Sequence, residues 1–354
     1  MEPTKHRTPA LFLAPPLLLV GLFYFLKENR AFMDFWVYRI LAPAEQTLGR
    51  LWSPFPCSML EFFGAAAVLC SLIWLLFSLR RGKFFRNLIP LLACWLWLFA
   101  ALCWMWNTAS YASTFSQRSG FTARTYSVEE LARVTDYFAQ QAGEYASQVQ
   151  RDREGHFAEN LNELFDRSLP IYDNISREFP LLEMEPVEPK PFLLSRVQSR
   201  MGFTGMYSPF TGEANVNVDA PLCLIPSTIA HELAHQRLVS SEQEANFLGI
   251  TAGILSDDPV FRYSCCLSGL INLCNALYPL APELWNDIAG RNFTPELSQD
   301  WRDNNDYWRE LEGPVDEAAG EAYDAFLKHN DQELGMQSYG ACVDLLIAYF
   351  LPKI

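Results

Sequence analysis

Three stretches of this chain carry no charged side chain over a length that crosses a bilayer as a helix: Pro9–Leu26, Phe62–Leu79 and Leu88–Trp106. A core helix of a soluble protein keeps a polar face, and these stretches have none, so the pattern predicts three transmembrane helices. Trp104 and Trp106 close the third stretch, as anchoring aromatics do at a membrane interface. Lys5 and Arg7 precede the first stretch in the manner of a signal peptide, but no small-x-small cleavage site follows it and two more apolar runs do.

From residue 107 the pattern becomes that of a water-soluble domain. Asn107–Thr125 reads as a polar connector, and Ser127-Val128-Glu129-Glu130 as a capping box opening a helix to about Gln150. A second helical stretch covers His156–Arg177, broken near Pro170, and the Pro-rich piece Glu183–Pro191 is a link. Gly, Tyr, Thr and Val between Phe192 and Leu224 predict a strand or hairpin. Beyond Pro226 the periodicity predicts helices over 227–239, 242–255, 258–277, 296–311, 315–329 and 339–351. The expected fold is mainly α. Residues 1–106 form a membrane domain, and residues 107–354 a helical domain with a small β-sheet or hairpin, divided into a helical part (107–190) and a metal-site part (191–354).

Charge sharpens the division. Residues 1–106 hold ten Lys/Arg and five Asp/Glu, which leaves 17 basic and 36 acidic residues for 107–354. So acidic a domain excludes nucleic acid as a partner. Arg80, Arg81, Lys83 and Arg86 crowd the turn between the second and third apolar runs and place it in the cytoplasm. Three spans then put the N-terminus inside and the domain outside the cell membrane. The nine cysteines show neither a disulfide framework nor the spacing of a cysteine zinc site.

Chemistry concentrates in His231-Glu232-Leu233-Ala234-His235. Residues four apart share a helix face, so both imidazoles reach one zinc ion, while Glu232, about 100° around the wheel, stands beside it as a general base for zinc-activated water. Pro226-Ser227 supplies the helix start. A catalytic zinc needs a third ligand. No histidine is near, and the candidates are Glu242 and Glu244 in the first turn of the next helix, after Ser240-Ser241.

Glu242-x-x-Ala245-Asn246 resembles the Glu-x-x-Ala-Asp segment of gluzincin membrane peptidases of the CAAX-prenyl-protease and HtpX types. The resemblance implies that His231, His235 and Glu242 hold zinc, with Asn246 steadying a ligand histidine. Only six residues separate His235 from Glu242, a brevity closer to metzincins, whose turn glycine is replaced here by Leu238. The apolar runs, Gly205–Asn217, Ile225–Gln236, Glu242–Phe247 and Ser338–Leu345 together look like an uncharacterised, zincin-like family of bacterial membrane proteins. The implied activity is that of a membrane-anchored zinc endopeptidase acting on a membrane-proximal protein or peptide. The alternative is a non-catalytic membrane sensor or scaffold that retains a metal site, which gives Glu232 no task. Glu213–Val218 is a candidate substrate-binding strand, and Tyr263 and Tyr339 are candidate oxyanion donors.

Overall fold

The computed structural model describes residues 8–330, 332 and 338–354, without the side chains of residues 8–11 and 338–341. Numbering only helices of three turns or more, the chain runs α1 (Thr8–Leu26), α2 (Ala42–Trp52), α3 (Met59–Arg80), α4 (Phe84–Leu102) and α5 (Val128–Ala146). Three short strands follow: β1 (Lys190–Pro191), β2 (Gly205–Ser208) and β3 (Glu213–Val216). The rest is helical: α6 (Ile225–Gln236), α7 (Glu242–Leu255), α8 (Pro259–Leu277), α9 (Pro282–Asn292), α10 (Pro295–Arg309), α11 (Pro314–His329) and α12 (Ser338–Phe350). The fold is mainly helical with one small sheet, as the pattern predicts.

Among the described residues two helices are long and apolar enough to cross a membrane: α3, and the continuous helical segment Phe84–Tyr111 that begins with α4. Lipid-length helices that bury almost none of their surface are consistent with membrane association. The first expected span, Pro9–Leu26, falls on α1; the described apolar part of that helix is Phe12–Leu26, and Pro15 and Pro16 lie in its interior. It packs along α4, where the Trp104 indole donates to the Leu19 carbonyl at 2.9 Å and Phe23 is buried against Trp104 and Tyr111. The expected polar connector after residue 106 is corrected. The helix continues through a π turn (Cys103–Asn107) into Thr108–Tyr111, and Phe115–Ser119 forms a further helix.

The domain core is a helical layer in which α8 packs on α5 and both α7 and α12 pack on α8. Leu131, Val134 and Phe138 of α5 meet Leu267, Leu270 and Leu273 of α8, all fully buried. Caps fix where these helices begin. Ser127 Oγ accepts from the Glu130 amide at 3.2 Å while Glu130 returns a bond to the Ser127 amide at 3.0 Å, completing the capping box. Asp258 caps α8 through the amides of Val260 and Phe261. The helical stretch expected over 156–177 is broken around Pro170, as expected, but it starts later and falls into three short pieces, Leu161–Asp166, Leu169–Tyr172 and Asp173–Glu178. Two helices, α2 and α9, fall where no element was expected.

The sheet has the order β1-β3-β2, with β1 parallel and β2 antiparallel to β3. It lies against α6, with β3 also touching α2, and hydrogen bonds from Glu213 tie it to the start of α3. Lys190 and Glu213 form a buried ion pair at 2.6 Å. Lys190 also donates to the Trp52 carbonyl at 2.7 Å, and Glu213 accepts from the Met59 and Leu60 amides at 3.1 and 3.3 Å. Sheet and membrane-length helix are thus joined by charge-assisted bonds that cannot break without stranding a buried charge.

Candidate metal centre

Helix α6 presents His231 and His235 on one face, and the chain then reverses within five residues into α7. The reversal uses Leu238, whose φ of 58° is left-handed, a conformation that leucine adopts only under tertiary pressure. Its amide bonds the His235 carbonyl at 2.8 Å, and the Val239 amide bonds the Ala234 carbonyl at 3.3 Å, closing the helix end. Ser241 caps α7 and leaves Glu242 in its first turn, facing back toward the two rings.

The three side chains converge. His231 Nε2 and His235 Nε2 lie 3.0 Å apart, and Glu242 oxygens stand 3.2 Å from the former and 3.6 Å from the latter. The three donor atoms all lie within 4.8 Å of one another. His235 Nδ1 is 2.6 Å from the Val239 carbonyl, so Nδ1 carries the proton and the Nε2 lone pair faces Glu242. Glu242 Oε2 is buried and has no hydrogen-bond donor among the described residues. Two imidazole nitrogens and a carboxylate oxygen this close form a group able to hold a metal ion.

Electrostatics within the group are strongly coupled. Burial opposes charge on both Glu242 and His235, yet each stabilises the other. The carboxyl is held well below the usual carboxylate range, and the imidazole is raised to about 9. Glu232 is buried beside them with Oε2 unpartnered. Burial pushes its pKa up to about 7, against the pull of His231 and His235. A carboxyl poised there exchanges protons readily near neutrality. Gly205 at the start of β2 makes room for it, since a Cβ at that position would overlap the Glu232 carboxylate.

All four residues open onto one cavity of about 730 Å³. It is lined by β2, by faces of α6, α7, α8, α10 and α11, and by Leu60, Leu102 and Trp106. The Trp106 ring meets His235 edge-on at 5.8 Å, and the π turn that carries it shifts that part of the helix out of α-helical register.

Other expectations are revised. Glu244 is no ligand and no solvated surface charge: it accepts from the Phe115 and Ser116 amides at 2.8 and 2.9 Å and so holds the start of the short helix Phe115–Ser119. Asn246 lines the cavity, but no hydrogen bond joins its amide to His231, whose Nδ1 and the Asn246 Nδ2 are both unpartnered among the described residues. Val239 supplies the support expected of Asn246. Within Glu213–Val218, β3 is the central strand and is paired on both sides; the sheet's edges are β1 and β2, and it is β2 that lines the cavity. Tyr263 is fully buried on Asp300, which Arg151 grips with two bonds at 3.0 and 2.8 Å, and it is not among the residues lining the cavity. The side chain of Tyr339 lies outside the described residues. The tyrosine that reaches the centre is Tyr323 of α11, whose hydroxyl donates to Glu242 Oε1 at 2.7 Å. Its separation of 81 residues from Glu242 leaves no local signal in the sequence.

No curated protein and no solved structure shows significant similarity to the chain. Residues 37–347 match the family described as "Protein of unknown function (DUF3810)", and the chain belongs to this family, an uncharacterised one as its motifs suggest.

Proposed function

We propose that this protein is a membrane-anchored, zinc-dependent endopeptidase with a zincin-like centre, in which His231, His235 and Glu242 hold the metal and Glu232 is the general base and acid. The observation that carries the reading is the convergence of two Nε2 atoms and a Glu242 oxygen beside a second, uncommitted buried carboxyl, Glu232. A purely structural metal site has no use for that carboxyl.

A zinc ion held by this set would supply a Lewis acid for the attacked carbonyl and for water. The residues of the chain do the rest. Glu232, with its pKa near 7, takes the proton of the attacking water and returns it to the leaving amine. Tyr323 holds Glu242 Oε1, which leaves Oε2 turned toward His231. An extended peptide lies along the β2 edge, where alternation in the antiparallel pair leaves every second residue's amide and carbonyl pointing away from β3.

The substrate is a membrane-proximal protein or peptide, because Leu60, Leu102 and Trp106 at the ends of α3 and of the Phe84–Tyr111 segment wall the cavity. The basic turn at Arg81–Lys83 lies at the far end of these helices and belongs in the cytoplasm. The metal centre then faces the extracytoplasmic side.

Glu232→Gln tests the reading. The purified variant should retain zinc while cleavage of an unfolded protein substrate falls by at least about 10²-fold. Undiminished cleavage at unchanged zinc content rules out Glu232 as the base. A cellular role that survives the substitution in full favours a non-catalytic scaffold instead.

A further inference from the structure

Next to the start of α3 the acidic domain exposes a compact apolar foot. Leu193, Leu194 and Val197 are 72, 56 and 48% exposed, three large aliphatic side chains within five residues at the entry to the short helix Ser195–Arg200. Single exposed apolar side chains are ordinary on soluble surfaces, whereas a cluster marks contact with something.

The position of the cluster identifies what it contacts. Glu61, in the first turn of α3, accepts hydrogen bonds from the Leu193 amide at 2.7 Å and the Leu194 amide at 2.9 Å. Directly after Glu61 begins the uncharged run Phe62–Leu79, most of whose surface is unburied. Two bonds to one carboxylate therefore fix Leu193 and Leu194 at the level where that helix leaves the hydrocarbon. Arg196 and Arg200, both exposed, flank the apolar side chains; Arg196 is paired with Asp219 at 3.0 Å, so the positive charge offered to a headgroup layer is mainly that of Arg200. The short helix leads through Met201 and Phe203, which line the metal cavity, into β2.

We infer that Leu193, Leu194 and Val197 insert into the bilayer surface as a second membrane contact of this domain, holding the β2 edge of the cavity against the lipid. The inference rests on α3 crossing the membrane, as in the function proposed above, and not on the identity of the metal or on any catalysis.

Spin-label accessibility in the full chain tests it, in bilayers of phosphatidylcholine and phosphatidylglycerol. Cys57, Cys70 and Cys94, the cysteines that are not buried, are first replaced by serine. Single labels are then placed at Leu194→Cys, at Ile73→Cys within α3, and at Arg153→Cys on the domain surface. The expected result is that the label at 194 is relaxed by oxygen more than by a water-soluble nickel complex, as at 73, while the label at 153 shows the reverse. A label at 194 that prefers nickel, with 73 still preferring oxygen, overturns the foot alone. Nickel preference at both overturns the spanning role of α3 with it. A label at 194 shielded from both reagents means a protein contact and also overturns the inference.

Discussion

His235 Nδ1 donates to the carbonyl of Val239 at 2.6 Å, across a turn whose left-handed residue is Leu238. Metal-binding histidines need this kind of support, because the bond on one nitrogen fixes which nitrogen is left for the metal. Here the support comes from the backbone four residues on, so the helix end and the proposed metal centre are one piece of geometry. Leu238 is itself buried, in the cluster that Phe23, Met33 and Val37 form beneath the centre.

Two substitutions at Leu238 should separate packing from backbone strain. Leu238→Ala removes a buried side chain and should cost about 2–5 kcal/mol. Leu238→Gly removes even more, yet glycine accepts φ of 58° freely and regains about 1 kcal/mol. Thermal denaturation should therefore rank the glycine variant above the alanine one. The opposite order contradicts a left-handed residue at 238.

Glu242 and Glu244 sit two residues apart in one helical turn, and both are buried, but they serve different ends. Glu244→Ala should destabilise the fold by about 1–3 kcal/mol, because the amides of Phe115 and Ser116 lose their acceptor, while zinc content stays at the wild-type level. Glu242→Ala should abolish zinc binding. Equal zinc loss in both variants contradicts the division of labour.

Gly205→Ala places a methyl group where the Glu232 carboxylate lies. The three metal ligands are untouched, so zinc should remain while the displaced base lowers peptide hydrolysis by about 10²-fold. Wild-type turnover in this variant, with zinc bound, removes Glu232 from the position assigned to it.

The helix that carries the site was legible because its information is local. Pro226 at the start, an i to i+4 pair of histidines, and Ser241 ahead of Glu242 all act within one or two turns. The packing helices were legible for the same reason, through caps such as Ser127 and Asp258. What the pattern missed depends on distant contacts. The role of Glu244 needs amides 128 and 129 residues away, and Tyr323 reaches Glu242 only because α11 folds back over the cavity. The length of the α4 segment was misjudged because Asn107, Thr108 and Ser110 look like a connector. Asn107 and Thr108 are buried in a helix that continues through the π turn.

Glu45 gives a pH dependence that is independent of the metal. It is buried on α2 and accepts a bond from the Tyr207 hydroxyl at 2.7 Å. Burial raises its pKa well above the ordinary 4.5, and the Tyr207 bond offsets this only in part. The folded state thus holds a proton that the unfolded chain releases above about pH 4.5, so the contribution of Glu45 is fully present below that pH and is lost as pH rises toward the folded pKa. Glu45→Gln keeps an acceptor for Tyr207 and removes the titration. Its melting temperature relative to wild type should climb between pH 4 and pH 8. A constant difference contradicts a neutral, buried Glu45.

The claim on which the rest depends is that His231, His235 and Glu242 hold one zinc ion. Elemental analysis of the purified full chain beside its His235→Ala variant tests it most directly. The account predicts close to one zinc per chain in the wild type and close to none in the variant; the same zinc content in both proteins contradicts it.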